Sequence, residues 1–524
     1  MKLTYGVHRA LQQYADRQAI ASGTRQTSFR QLASRVSRLA AVLQDLGVQH
    51  EARVALLASN SDRYLEYYLA TWWAGAVANP VNTRWSPAEI AYSLNDSGTE
   101  LLIVDEGHCH LLPAIHGHIT GAHLRVAFFD DGSCPPDLFD LEALLGSAAP
   151  ISDADRQDGD LAVIFYTGGT TGAPKGVMLT HGNLWASAMS RYATVPAVPG
   201  AKAIHVAPFF HVAGAGRLIS HYLAGGSALA VPAFRPPQVI EAIARHGISE
   251  IVLVPSMLQL LLSDSSFDSE KLSSLRRIFY GGSPIGEALL DSALQLLPKV
   301  ELIQSYGMTE TSPLITMNPH DNHVGEGRKT GRHRSAGRAV LGVDLRIVDS
   351  QGHVAAVGTS GEIVVRGANV MQGYWGLPEQ TSHALRHGWL HTGDVGYLDA
   401  DGYLFVQDRL KDMIITGGEN VYSAEVENVI LQHPAVESCA VIGLPDVVWG
   451  ERVHAAIVVK PGHEASQEEI QAFCRQHIAG YKCPKTVSAV PLLPMSNVGK
   501  VLKASLREAH LRAESNRGPQ ERAS

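Results

Sequence analysis

Apolar residues recur at helical spacing between Ser28 and Leu46, at Leu32, Val36, Leu39, Leu43 and Leu46. Ser28 followed by Gln31 is a capping-box pattern, and Gly47 suits the position just past a helix end. The pattern then changes to a short apolar run over 54–58, as expected of a buried strand. Asp62–Trp73 predicts a second helix and 101–104 a second strand. Further strands are predicted over 161–165 and 251–254, with a helix starting near His181 between them. Strands alternating with helices predict an α/β architecture built on mostly parallel sheets.

After about Leu341 the texture becomes β-rich, with short strands expected over 345–348, 362–365 and 403–406. The turns between them are supplied by Asp349-Ser350-Gln351-Gly352 and Asp399-Ala400-Asp401-Gly402. A smaller α+β unit is expected from Lys411, with helices over 424–432 and Gln467–His477. The tail from Arg507 is polar and is expected to fray. The fold class is therefore α/β. The expected organisation is a large domain over 1–410, combining parallel α/β sheets with a β-rich subdomain, and a small mobile α+β domain over 411–524.

Length and composition narrow the classes. At 524 residues the chain exceeds a single hydrophobic core. With 45% apolar and 18% charged residues it is neither disordered nor fibrous. A formal charge of −8 argues against a general nucleic-acid binder, which carries a basic face. Five cysteines, an odd number without a C-x-x-C pair, argue against a disulfide framework and for a reducing compartment. The first residues lack the apolar core of a signal peptide, and no apolar run is long enough for a transmembrane segment. A cytoplasmic protein is expected.

The densest chemical signal is Tyr166-Thr167-Gly168-Gly169-Thr170-Thr171-Gly172-Ala173-Pro174-Lys175-Gly176, directly after an apolar strand. Glycines let backbone N–H groups approach an anion closely. Thr167, Thr170 and Thr171 add hydroxyls, and Lys175 adds a positive charge. These are the parts of a polyphosphate cradle, although the G-x-x-x-x-G-K-[ST] spacing of a Walker A loop is absent.

The string resembles the signature of the acyl-adenylate-forming superfamily, which includes acyl-CoA synthetases, firefly luciferase and the adenylation domains of nonribosomal peptide synthetases. The resemblance runs from about Gln18 to Leu506, and further motifs follow in the family's order. Gln304-Ser305-Tyr306-Gly307-Met308-Thr309-Glu310-Thr311 looks like the adenine and magnesium motif. Gly388-Trp389-Leu390-His391-Thr392-Gly393-Asp394 looks like the ribose motif. Asp408-Arg409-Leu410-Lys411-Asp412 resembles the hinge, Gly417-Gly418-Glu419-Asn420 the thiol-channel loop, and Val498-Gly499-Lys500 the C-terminal lysine motif. One departure stands out. Gly168 occupies a position where most members have serine, so a hydroxyl contact to phosphate is missing while a backbone donor remains.

The resemblance implies ATP, CoA and Mg²⁺ as reaction components and a small carboxylic acid as substrate. It implies ATP or AMP contacts from Thr167, Gly168, Gly169, Thr170, Thr171, Gly172 and Lys175, from Gly282 and Ser283, from Ser305, Tyr306, Gly307 and Thr309, and from Asp394 and Arg409. Glu310 and Thr170 are the implied Mg²⁺ contacts, and Lys411 the implied pivot. Carboxylate attack on an α-phosphorus adds negative charge to an anionic ligand, so catalysis must come from positioning and aimed cations. Lys500 is the candidate bridge between acid and α-phosphate, with Thr309, Glu310 and His211 completing the catalytic set. Each also has an ordinary reading. Lys500 and Arg409 could be surface charges, Glu310 a surface carboxylate, Asp394 a turn residue, Tyr306 and His211 core.

Gly417 and Gly418 would let a pantetheine arm pass, while Trp449, Tyr481 and Lys485 are the candidate contacts to the CoA nucleotide. Any of these three could instead be packing or surface. Cys483 sits where some relatives have arginine. The segments around His211, 280–284 and 305–313 are expected to line the acid pocket, with no charged anchor in 203–216. A medium- or long-chain fatty acid is the first expectation for the substrate, and an aryl or hydroxycinnamic acid the second. A luciferase-like oxygenase, a carrier-protein loader acting in trans and a non-catalytic acyl-nucleotide sensor are the alternatives from other classes.

Overall fold

The computed structural model of the protein describes residues 1–120, 124–167, 174–198, 200–410, 412–416, 419–495 and 501–516, except the side chains of 514–516. The chain divides into two compact units. The first comprises Met1–Gly282, Ala293–Leu345 and Val365–Leu390, and the second Ser283–Ser292, Arg346–Val364 and His391–Ser524.

The first unit is built on two sheets. One has nine strands in the order Arg338–Ala339, Thr316–Asn318, Glu301–Tyr306, Arg277–Gly281, Glu250–Leu253, Lys202–His205, Ser227–Ala230, Gln18–Ser22, Arg25–Ser28. Its interior strands are parallel, and antiparallel strands close both edges. The other sheet has eight strands in the order Gly373–Tyr374, Lys175–Thr180, Leu161–Thr167, Val77–Pro80, Arg53–Leu57, Thr99–Val104, Arg125–Phe128, Phe139–Asp140. It too is parallel except at Lys175–Thr180 and Gly373–Tyr374.

The predicted first helix forms over Phe29–Asp45. Ser28 and Gln31 make the reciprocal capping box, and Gly47 takes φ +84° beyond the helix end. Helix Asp62–Trp73 is buried along its whole length, as its aromatic sequence requires. Several of its polar tips are answered by backbone carbonyls, while the buried hydroxyls of Tyr64 and Thr71 meet no partner among the described residues. Tyr67 donates to Val54 O at 2.7 Å, Tyr68 to Phe209 O at 2.7 Å and Trp72 to Ala162 O at 2.8 Å. Its buried charges are paired too, Asp62 with Arg25 and Glu66 with Arg35.

In the second unit, from His391 on, strand Trp389–Leu398 pairs antiparallel with Leu404–Arg409. A further sheet runs in the order Glu419–Val421, Ile414–Thr416, Gly450–Val459, Val436–Asp446, with Thr486–Ala489 parallel to Gly450–Val459. Helices Ser423–Ile430 and Gln467–His477 pack on it, enclosing a core of Ile414, Val426, Ile430, Val441, Val453, Ile470, Cys439, Cys474 and Cys483. All five cysteines are free thiols.

One expectation needs correction, and one strand was not foreseen. The polar tail does not fray at Arg507, because helix Lys503–Asn516 runs through it. Leu506 anchors that helix against Ala440, Ile442 and Leu444, and Arg507 Nε donates to Gly443 O at 2.9 Å. Once a turn is fixed, each further residue adds a bond at little cost. The helix expected near His181 forms over His181–Thr194, but it is preceded by strand Lys175–Thr180, which the sequence pattern did not predict. Among the described residues no helix is long and apolar enough to cross a membrane.

Candidate active site

The loop candidate is flanked by two strands that pair with each other. Strands Leu161–Thr167 and Lys175–Thr180 pair antiparallel with Thr167 opposite Lys175, so the two residues face each other at the loop's mouth. Gly168, Gly169, Thr170, Thr171 and Gly172 lie outside the described residues. Tyr374 sits in the two-residue strand that pairs with the same hairpin, opposite Val177. Its ring centre is 5.1 Å from Lys175 Nζ, and its hydroxyl donates to Glu310 Oε1 at 2.9 Å. Burial and then the Glu310 carboxylate push the Tyr374 phenol's pKa up, so it stays a donor. Glu310 lies in the short turn Thr309–Thr311, is only 8% exposed, and accepts from Met371 N at 2.8 Å through its carbonyl.

The hairpin is braced from a second side. Tyr166 donates to Asp96 Oδ2 at 2.5 Å, and Trp375 Nε1 donates to Asp96 O at 3.0 Å. Tyr374, Trp375 and Asp96 did not stand out in the sequence. Only the pairing of residues far apart in the chain assembles them.

The remaining candidates of the first unit cluster at the carboxyl ends of parallel strands, where α/β sheets place ligands. Gly281 pairs with Ser305, and a Cβ on Gly281 would come within 2.2 Å of Ser305 O. Gly307 is as tightly confined, with a Cβ falling 2.0 Å from Pro313 O. Gly282 takes φ +82°, open to glycine. Tyr306 ends its strand half-buried, next to Gly307. The Ser305 hydroxyl is buried and meets no hydrogen-bond partner among the described residues.

Asn369 holds the following segment, donating to Thr311 O at 3.1 Å and Leu314 O at 2.5 Å, while Ser312 donates back to Asn369 O at 2.8 Å. His211 caps helix Val212–Leu223, its Nδ1 accepting from Ala213 N at 3.3 Å. That helix approaches the Glu310 segment at Gly216, where a Cβ would lie 2.9 Å from Pro313 Cδ.

In the second unit, Asp394 pairs across the hairpin with Arg409, and Arg409 Nε meets Asp394 Oδ1 at 2.7 Å. The Asp394 side chain is 5% exposed, and its backbone N–H donates to Thr392 Oγ1 at 3.1 Å. Glu362 secures the approach, accepting from Gly393 N at 3.2 Å and meeting His391 Nδ1 at 2.7 Å. One residue before Arg409, Asp408 accepts from Ser423 Oγ at 2.6 Å.

Lys485 Nζ stands 5.9 Å from the Trp449 ring centre, and Trp449 and Tyr481 are 49% and 42% exposed. Large exposed aromatics beside a lysine can receive a flat, phosphorylated ligand. Cys483 instead points into the core of the unit. Ser283 also belongs to this unit. Lys411, Gly417, Gly418 and Lys500 lie outside the described residues.

Comparison with known proteins gives this geometry its context. The family model of AMP-binding enzymes matches residues 7–375, and the AMP-binding enzyme C-terminal domain matches 425–500. The chain belongs to the AMP-binding enzyme family. Feruloyl-CoA synthase of Amycolatopsis sp is 38% identical over 491 residues, 93% of this chain and 95% of that protein. Long-chain-fatty-acid–CoA ligase FadD13 of Mycobacterium tuberculosis is 34% identical, covering 92% of this chain and 93% of its own length. The crystal structure of ATP-bound MatB from Rhodopseudomonas palustris superposes with a TM-score of 0.87 at 31% identity, over 97% of this chain and 99% of that one. The α/β fold matches this family's structures, and the enzyme is an acid–thiol ligase of the adenylate-forming type.

Proposed function

We propose that this ligase joins a carboxylic acid to CoA in two steps on one set of residues. The acid carboxylate attacks the α-phosphorus of ATP, releasing pyrophosphate and forming an acyl-adenylate. The CoA thiol then attacks the acyl carbon, and AMP leaves. The observation that carries this reading is the line Lys175, Tyr374, Glu310 at the mouth of the Thr167 hairpin. It sets a cation and a hard oxygen ligand on either side of one aromatic ring, as a magnesium-bound polyphosphate requires.

In this reading Thr167, Lys175 and the loop 168–172 hold the phosphates, and Thr309 and Glu310 hold the Mg²⁺ side, with Thr170 as a second contact. Among the described residues no three His, Cys, Asp or Glu side chains gather into a metal cage. A single carboxylate suits Mg²⁺ carried in by phosphates. The metal supplies charge neutralisation on those phosphates. Gly282, Ser283, Ser305, Tyr306 and Gly307 take the adenine side, and Asp394 with Arg409 the ribose. Lys500 neutralises the charge developing at the α-phosphate. Domains 1–410 and 411–524 divide the work, with Lys411 as pivot between the two half-reactions. Trp449, Tyr481 and Lys485 receive the CoA nucleotide, and Gly417 and Gly418 its pantetheine arm.

For the acid, the family texture favours a medium or long aliphatic chain, and the FadD13 relative supports it. The more similar feruloyl-CoA synthase supports the aryl or hydroxycinnamic acid beside it. Pyrophosphate release with ATP and a panel of both acid types tests the first step, and thioester formation with free CoA tests the second. Pyrophosphate release without a CoA thioester would redirect the acceptor to a carrier protein.

A further inference from the structure

A cluster of buried charges in the first unit gathers around Phe279 and Glu250. Arg191, in the last turn of helix His181–Thr194, is only 6% exposed. Among the described residues its guanidinium meets no hydrogen-bond acceptor, and its Nε is buried without a partner. The Phe279 ring centre lies 5.8 Å away. Arg217 stands 4.4 Å from the centre of the same ring. It is 3% exposed and ion-paired with Glu250, and the buried Tyr192 hydroxyl lies beside it.

The surrounding charges do not balance. Arg277 approaches Glu250 at 3.6 Å and pairs with half-exposed Glu301 at 2.7 Å. Three guanidiniums therefore face two carboxylates. His205 and His221 lie close by. Burial first, and then Arg217, hold the His221 pKa down to about 4, and burial holds that of His205 lower than usual. Both are thus neutral and add no compensation. Burial and the Arg217 charge also pull the Arg191 pKa down to about 10. An uncompensated buried cation is costly, so a fold that keeps one has a use for it.

The position suggests what the use is. Phe279 lies on strand Arg277–Gly281, two residues before Gly281 and hence on the same face. Arg217 directly follows Gly216, which abuts Pro313. Through Phe279 and Gly216 the cluster is thus tied to two of the three segments expected to line the acid pocket, and Arg217 lies one residue beyond the stretch in which the sequence offers no charged anchor.

We propose that Arg191, with Arg217 beside it, reads an anionic or hydrogen-bond-accepting oxygen at the end of the acid remote from its carboxylate. This rests on the ligase reading above. An oxygen-ended acid supplies the acceptor that Arg191 lacks, whereas a methyl end leaves that guanidinium desolvated and unpaired. Arg191 is in this sense a specificity residue. The substrate class is an acid with a distal oxygen, either a phenol on an aryl acid or the second carboxylate of a dicarboxylic acid.

The test compares matched pairs in the full-length enzyme: cinnamic against 4-hydroxycinnamic acid, and octanoic against octanedioic acid. For one pair the oxygen-ended acid is expected to exceed its plain partner in kcat/KM by at least about tenfold, since sites built for a polar group reject analogues lacking it. The pair that responds tells phenol from carboxylate. Arg191→Met should erase about tenfold of that preference, mainly through KM. Without any acid the variant should melt no lower than the wild type, because it removes an uncompensated buried charge. Equal use of plain and oxygen-ended acids overturns the assignment. So does an Arg191→Met variant that slows both members of a pair alike and melts lower. Pyrophosphate release from no acid at all overturns the ligase reading, and this proposal with it.

Discussion

Tyr374 donates its phenol to Glu310 at 2.9 Å, and so ties the edge strand of the loop hairpin to the turn that carries the proposed magnesium contact. Tyr374→Phe keeps the ring beside Lys175 and removes only the donor. A hydrogen bond to a charged group contributes about 1.5–3 kcal/mol. Adenylation kcat/KM should therefore fall by about tenfold or more. Half-saturating Mg²⁺ should shift several-fold with it. A wild-type rate with unchanged Mg²⁺ dependence would show that Glu310 needs no help from Tyr374.

Asp394 is held nearly out of solvent with Arg409 fixed against it. If it accepts from the ribose hydroxyls, Asp394→Asn should raise the KM for ATP by about tenfold, the cost of a charge-assisted contact. The variant should also discriminate less between ATP and 2′-deoxy-ATP than the wild type does. An undiminished preference for ATP would move the ribose contact elsewhere.

For Lys500→Ala, adenylate formation should drop by on the order of 10²-fold, the scale of losing one transition-state donor. Thioester formation from a supplied acyl-adenylate should be spared much better. Single-turnover kinetics of each step decides the matter, and equal losses would make Lys500 structural.

Several buried histidines set an acid limit on stability. Burial lowers the pKa of His181, His323 and His454 to about 3 and that of His221 to about 4, against 6.5 for the free side chain. Above the unfolded value these residues are neutral in both states, and the native state keeps its full stability. As pH falls below 6.5 the unfolded chain takes up protons that the folded chain refuses. Each histidine then costs up to about 1.4 kcal/mol per pH unit until its folded value is reached. Melting temperature should therefore fall steadily from pH 6.5 towards 4. His454→Gln should flatten part of that slope, since Gln can still bond Thr486 and Ser488, which His454 meets at 2.7 Å and 3.0 Å, while it leaves His510 without a ring neighbour there. A melting temperature flat to pH 5 would contradict the assignment.

Where one local pattern decides an element, the sequence was informative. Ser28 with Gln31 marks a helix start, and Gln467–His477 forms over its predicted span. The glycine–threonine string, Glu310 and Asp394 could be picked out because their residue types carry chemistry at fixed spacing. What stayed hidden depends on partners distant in the chain. Strand Lys175–Thr180 is short and exists by pairing with Leu161–Thr167. Tyr374 lies in a strand of two residues, too short to show any periodicity. Arg217 looks like any arginine on a helix until Glu250 and Phe279 are brought to it. The helix past Arg507 starts at Lys503, which pairs with Glu427 at 2.7 Å, and is held by Leu506, an apolar residue in a polar run.

The placement of the free thiols makes the protein its own unfolding probe. Cys439, Cys474 and Cys483 sit in the core of the second unit, while Cys109 and Cys134 are half-buried in the first. Burial raises the pKa of Cys439 well above its usual value and that of Cys474 to about 11. Alkylating reagents attack the thiolate, so these buried sulfurs stay silent while their core is closed. Mass spectrometry after a brief alkylation pulse can then count which unit has opened. Label on Cys109 and Cys134 alone reports exposure in the first unit, and added mass on the other three reports loss of the second unit's core, with no engineered reporter needed.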